Sequence, residues 1–104
     1  MILAAFYARP IWIDSEDRVI RDEKNRHVIF HGVNVVEKIA PYIPDQNVFD
    51  SQASLTDKDI LDLKEWGFNF VRLGVMWEAV ETAPGVYNET YLDEVDQLIT
   101  KLGK

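Results

Sequence analysis

The chain has 104 residues, 47% of them hydrophobic, a formal charge of −7 and no cysteine. It is one small globular domain at most, without disulfides, zinc thiolates or a cysteine nucleophile. Eleven Lys and Arg, scattered without a basic stripe, disfavour nucleic acid as a partner, and no run approaches the ~20 apolar residues of a transmembrane segment.

The first ten residues, opening "MILAAFYA", form an apolar lead without a basic n-region, which suits a clipped signal peptide or a mis-set start. Residues 11–104 follow as one unit. "IWI" (Ile11 to Ile13) and "RVIRDEKNRHVIFHGVNV" (Arg18 to Val35) alternate strand material with polar turns at Asp14 to Asp17 and Glu23 to Arg26, which predicts a hairpin feeding a longer strand. From Val28 to Val35 the residues are nearly all apolar or small, so that strand is expected to be covered on both faces. His27 and His31 flank its core with no acid or nucleophile at a telling spacing, and read as packing or surface ahead of site residues. The next twenty or so residues, "VEKIAPYIPDQNVFDSQAS", hold two prolines and no clean period. A loop of that length inside a domain is functional or disordered.

"SLTDKDILDLKEWG" carries helix marks: Thr56 as N-cap with Asp59 three residues on, acidic residues in the first turn, Ile60 and Leu63 on one face, and Gly67 as the stop. "FNFVRLGV" predicts a second strand with Phe68, Phe70, Arg72 and Gly74 on one face and Val71, Leu73 and Val75 on the other. A turn at "TAPGVYN" leads to a last helix with Tyr91, Leu92, Val95, Leu98, Ile99 and Leu102 at helical spacing. Strands alternating with helices mean βαβ units and a parallel sheet. Two such units, stopping at "KLGK" where another strand is due, leave open edges; the expectation is the N-terminal part of something larger.

Arg72 is the residue that asks for an explanation. A guanidinium keeps its proton, so a place in an apolar strand is costly unless it meets a carboxylate or a polar ligand. Two readings stay open: a functional residue at the C-terminal end of a barrel strand, the catalytic end, or a structural ion pair with a neighbouring strand. Asn34 holds the equivalent place on the first strand. Trp77, just beyond the second, suits a sugar platform or a plug under the next helix. GxGxxG, GxxxxGK, HExxH and GxSxG are all absent, leaving dinucleotide, P-loop, zincin and serine-hydrolase readings without support.

"HVIFHGVNV" followed by "GFNFVRLGVMWEAVETAPGVYNETYLDEVDQLI" resembles the first quarter of glycoside hydrolase family 5, retaining β-glycosidases on (β/α)8 barrels. The resemblance covers about residues 12 to 104. "GVNVVEKIAPYIPD" and "SLTDKDILDLKEWGFNFVRLGVMWEAVE" are similar to the endoglycoceramidase-related branch, whose members cleave glycolipids. It implies an α/β fold, the N-terminal portion of a TIM barrel comprising a hairpin and two βα units, and a remainder C-terminal to Lys104. It also implies that Arg72 hydrogen-bonds the catalytic nucleophile, a glutamate that, like the acid/base glutamate, matches no position in these 104 residues. Glu78 and Glu81 lie near a strand end but match neither, and read as capping or salt-bridging the loop. This stretch alone is therefore expected to be inactive.

Lys38 is the contact to the substrate's polar head that the resemblance implies, although Glu37 departs from the aromatic residue many relatives carry; Asn34 and Trp77 join it as substrate-binding candidates from their places at the strand ends. The implied substrate is a glycolipid (a glycosylceramide or steryl glucoside) or another glycan; the alternatives are an endoglucanase-type polysaccharide hydrolase and a non-catalytic glycan-binding remnant. Two carboxylates suffice for this chemistry, so no metal or organic cofactor is implied. The family and the "NET" sequon at Asn88 point to a secreted or lysosomal, vesicular protein.

Overall fold

The alternation in "FVRL" is realised as strand β5 (Phe70–Leu73), half-buried, buried, exposed, buried in turn, in a computed structural model that describes residues 2–5 and 10–104. Its neighbours are β4 (Gly32–Val35) in parallel and β1 (Ile2–Ala5) antiparallel, giving the order β1-β5-β4. The β1 strand was not expected, because a short apolar lead carries no period that marks it as sheet. Residues 1 and 6–9 of that lead lie outside the described residues.

The first hairpin pairs β2 (Ile11–Ile13) with β3 (Ile20–Asp22), its turn held by Arg21, whose guanidinium reaches Asp14 at 2.9 Å and also Asp17. The long strand expected over Val28 to Val35 is corrected to the four residues of β4. Upstream of it the chain changes partner. Val28 N–H donates to Ile20 O at 2.7 Å, and His27 bridges Arg21, so residues 27–28 belong to the hairpin. Coverage on both faces is corrected as well: Val33 and Val35 are half-buried, while Gly32 and Asn34 are exposed.

Helix α1 (Asp57–Glu65) starts on the expected capping box: the Thr56 side chain accepts from Asp59 N, and the Asp59 carboxylate accepts from Thr56 N, satisfying two N–H groups that the first turn leaves open. It stops at Gly67, whose φ of +85° is open to glycine and strained for other residues. The expected turn after β5 is more structured than the pattern suggests, with a one-turn α2 (Trp77–Val80) and a small hairpin of β6 (Glu81–Ala83) and β7 (Val86–Tyr87). A single helical turn and strands of two and three residues are too short to show a period. Helix α3 (Glu89–Leu102) begins on Asn88, whose side chain accepts from Tyr91 N at 3.1 Å, so the sequon asparagine serves as an N-cap.

Helix α3 buries Tyr91, Val95, Leu98 and Leu102 against Val71 and Leu73, with Leu55 and Ala79 completing the core and Ile60 and Leu63 of α1 packed at its margin. All the helices therefore serve one face of the sheet. The face of β4 and β5 that carries Gly32, Asn34 and Arg72 is left exposed. No described helix is long and apolar enough to cross a membrane.

Among the described residues, one charged side chain is deeply buried. Asp22, 2% exposed, accepts N–H groups of Lys24 and Arg26 at 2.9 Å and the Arg26 Nε at 2.7 Å. Burial pushes its carboxyl up, but the hydrogen bonds from Arg26 and Lys24 outweigh it and hold it down from 3.8 to about 2. A carboxyl depressed on folding stabilises the fold above its unfolded value and loses that contribution as pH falls toward its folded one. Acid titration followed by tryptophan fluorescence should therefore show stability falling between pH 3.8 and about 2, and Asp22→Asn should flatten that window. An unchanged acid limb in the variant would mean that another carboxylate carries it.

Candidate functional site

The parallel pairing of β4 with β5 sets Asn34 directly across from Arg72, and Gly32 across from Phe70. Adjacent strands lie about 4.8 Å apart, and residues two apart share a face, so these four side-chain positions form two layers on one face. Asn34 and Arg72 make the layer nearer the strand ends. Both are exposed, so the cost of burying a guanidinium, the reason Arg72 looked anomalous in an apolar run, does not arise in this chain. Beneath them, the Phe70 ring meets Phe30 at 4.7 Å between centroids.

The closeness of the two strands depends on Gly32. A Cβ there would stand 1.8 Å from the carbonyl oxygen of Phe70 and 2.6 Å from its carbonyl carbon, and a backbone paired in a ladder has nowhere to go. Below the strand pair, Asn69 takes the place of ladder residues. Its amide Nδ2 donates to Ile29 O at 2.9 Å, its Oδ1 accepts from His31 N at 2.8 Å, and its own N–H donates to His31 O at 2.9 Å. His31 stacks on Phe68 at 4.5 Å and His27 is exposed beside Arg21, so both histidines are in packing or surface positions.

The remaining candidates line the two segments that leave the strand ends. Lys38 is exposed in the loop after β4. Trp77, the first residue of α2, is 78% exposed and so does not act as a plug under a helix. Glu78 accepts the Tyr42 hydroxyl at 3.3 Å, and Glu81 accepts Gly85 N–H at 2.7 Å; both carboxylates hold loop structure. Sequence reasoning missed Tyr42, whose loop position has no periodicity to mark it. The loop and α3 also enclose an open groove of about 840 Å³ between Ile39, Pro41, Asp45 and Gln52 on one side and Gln97 and Lys101 on the other. None of Asn34, Lys38, Arg72 and Trp77 lines it, so it is separate from the strand-end cluster.

Residues 22–104 match Cellulase, glycosyl hydrolase family 5. Over 94 residues, 90% of this chain, the sequence is 35% identical to an endoglycoceramidase of Cyanea nozakii and 31% identical to one of Hydra vulgaris. It is 40% identical over 81 residues, 78% of the chain, to endoglycoceramidase I of Rhodococcus hoagii. The chain spans 18%, 18% and 15% of the lengths of these three relatives.

Gly32→Ala should separate β4 from β5, with loss of cooperative urea unfolding. Gly67→Ala, where nothing stands within 4 Å of the added carbon but φ is positive, should cost only ~1–2 kcal/mol. Equal and mild losses in the two variants would contradict the close approach at Gly32.

Proposed function

The chain belongs to glycosyl hydrolase family 5, and from that premise we propose that it supplies the first two βα units of a (β/α)8 barrel that cleaves the β-glycosidic bond of a glycolipid. The names of the three relatives favour a glycolipid over a polysaccharide. The observation that carries the reading is the exposed layer of Asn34 and Arg72 at the ends of two adjacent parallel strands, the end of a barrel at which catalytic residues gather. A guanidinium there suits a carboxylate, since its planar fork offers two parallel N–H donors. Arg72 would hold the nucleophilic glutamate, a residue outside these 104, ionised and turned toward the anomeric carbon.

In the retaining reaction that carboxylate attacks the anomeric carbon while a second, protonated carboxyl gives its proton to the departing lipid oxygen. Water, deprotonated by the same group, then releases the sugar from the covalent intermediate. The chain's own part is positional. Asn34 lies level with Arg72 and offers an amide to a sugar hydroxyl, Trp77 offers an exposed ring face, and Lys38 offers a charge to the polar head at the mouth of the first strand, where loop variation sets specificity.

A chimera provides the test. In the Rhodococcus hoagii endoglycoceramidase I, this chain replaces the region it matches, and hydrolysis of a fluorescent glycosylceramide is measured beside that of a soluble aryl glycoside. The parent chimera should hydrolyse the glycosylceramide. Arg72→Lys should melt near the parent temperature yet lose about 10²-fold or more in single-turnover rate, as misplaced reacting groups do; an active but destabilised variant would make Arg72 a structural ion pair. Lys38→Ala should lower glycosylceramide hydrolysis more than aryl glycoside hydrolysis, and an equal loss on both would remove Lys38 from the head-group site.

A further inference from the structure

Tyr42 lies in the loop between β4 and α1 with φ of +65°, in the left-handed region. For a bulky side chain that is a genuine outlier. The other described non-glycine residues with positive φ, Arg18 and Asn25, sit in the turns around β3. Glycine would hold the same backbone freely, so what the position gains from tyrosine is its ring and hydroxyl.

Every polar group of Tyr42 is engaged. Its N–H donates to Ile39 O at 2.8 Å, its carbonyl accepts from the Tyr91 hydroxyl at 3.0 Å, and its own hydroxyl donates to Glu78 Oε2 at 3.3 Å. Its ring packs at the margin of the core. Tyr91 is 4% exposed in α3, and Glu78 lies in α2, five residues past the end of β5. One loop residue thus joins the loop after β4 to both helices that follow β5.

We propose that Tyr42 is a positioning residue that sets substrate choice by fixing the six-residue span from Val36 to Pro41, and with it Lys38, over the strand ends. The inference rests on the glycolipid reading for its functional half and on geometry alone for its structural half. The span is short and tied at both ends. At one end Val35 is the last residue of β4, and at the other Tyr42 is held from two helices, so Lys38 has little room to wander. The negative charge of Glu78, with burial and the hydrogen bond, holds the Tyr42 hydroxyl above its ordinary 10.0.

The structural half is tested on the 104-residue chain by hydrogen exchange. Tyr42→Phe and Tyr91→Phe keep both rings and each delete one bond. The amides of Ile39 and Tyr42, bonded to the Glu37 carboxylate and to Ile39 O, should exchange about tenfold faster, the worth of one hydrogen bond, while those of β4, β5 and α3 stay protected. Glu78→Gln retains an acceptor and should keep the protection that Glu78→Ala loses. Unchanged exchange at these amides, or an equal rise everywhere, would overturn the clamp. In the chimera, Tyr42→Phe should lower the ratio of glycosylceramide to aryl glycoside hydrolysis. An active parent with an unchanged ratio overturns the specificity role and leaves the glycosidase reading standing. An inactive parent counts against the glycosidase reading, and the exchange experiment then decides the clamp by itself.

Discussion

The parallel contact between β4 and β5 is the constraint on which the rest of the molecule depends. It requires glycine at position 32, because any Cβ would collide with the backbone of Phe70. It also fixes register. A slip of one residue would turn the buried set of a strand to the other face; here it would send Asn34 toward the core and Val33 or Val35 to solvent. With the register as found, Val33, Val35, Val71 and Leu73 meet the helices while Asn34 and Arg72 share the open face. Asn69 secures the lower end of the pair with side-chain bonds in place of ladder bonds, so the two strands stay together although each is only four residues long.

Much of this was legible in the residues. The two-residue alternation in "FVRL" assigned the faces of β5 correctly, because one side of that strand is apolar throughout. The capping box of Thr56 and Asp59 and the apolar stripe of α3 are local signals that do not depend on distant partners. The strand around Val28 was overextended for the opposite reason. Its run of apolar residues is real, but hydrogen bonding there is divided between the β2–β3 hairpin and Asn69, which no periodicity reveals. Strand β1 escaped notice because four apolar residues suit a leader as well as a sheet edge.

The candidate site divides in the same way. Asn34 and Arg72 follow from strand alternation, and their juxtaposition follows from parallel pairing, so the sequence suffices once the sheet is granted. Trp77 was ambiguous between platform and plug, and its exposure removes the plug. Tyr42 could not be found by pattern, since its role comes from three bonds reaching 3, 36 and 49 residues along the chain. The only hint in the sequence is a tyrosine between two prolines in a long loop. On the proposed barrel reading, the loop would leave a strand end, where segments carry specificity. The carboxylates of Glu78 and Glu81 show the converse, charged groups near a strand end that are occupied by hydrogen bonds within the loops.

The most direct test of the strand pairing is a set of interstrand nuclear Overhauser contacts across β4 and β5 in the 104-residue chain. The expected result is a parallel register in which Val33 faces Val71 and Asn34 faces Arg72, with the amide of Gly74 protected by the carbonyl of Val35. A register shifted by one residue, or no contact between the two strands, would separate Asn34 from Arg72 and contradict the site built on them.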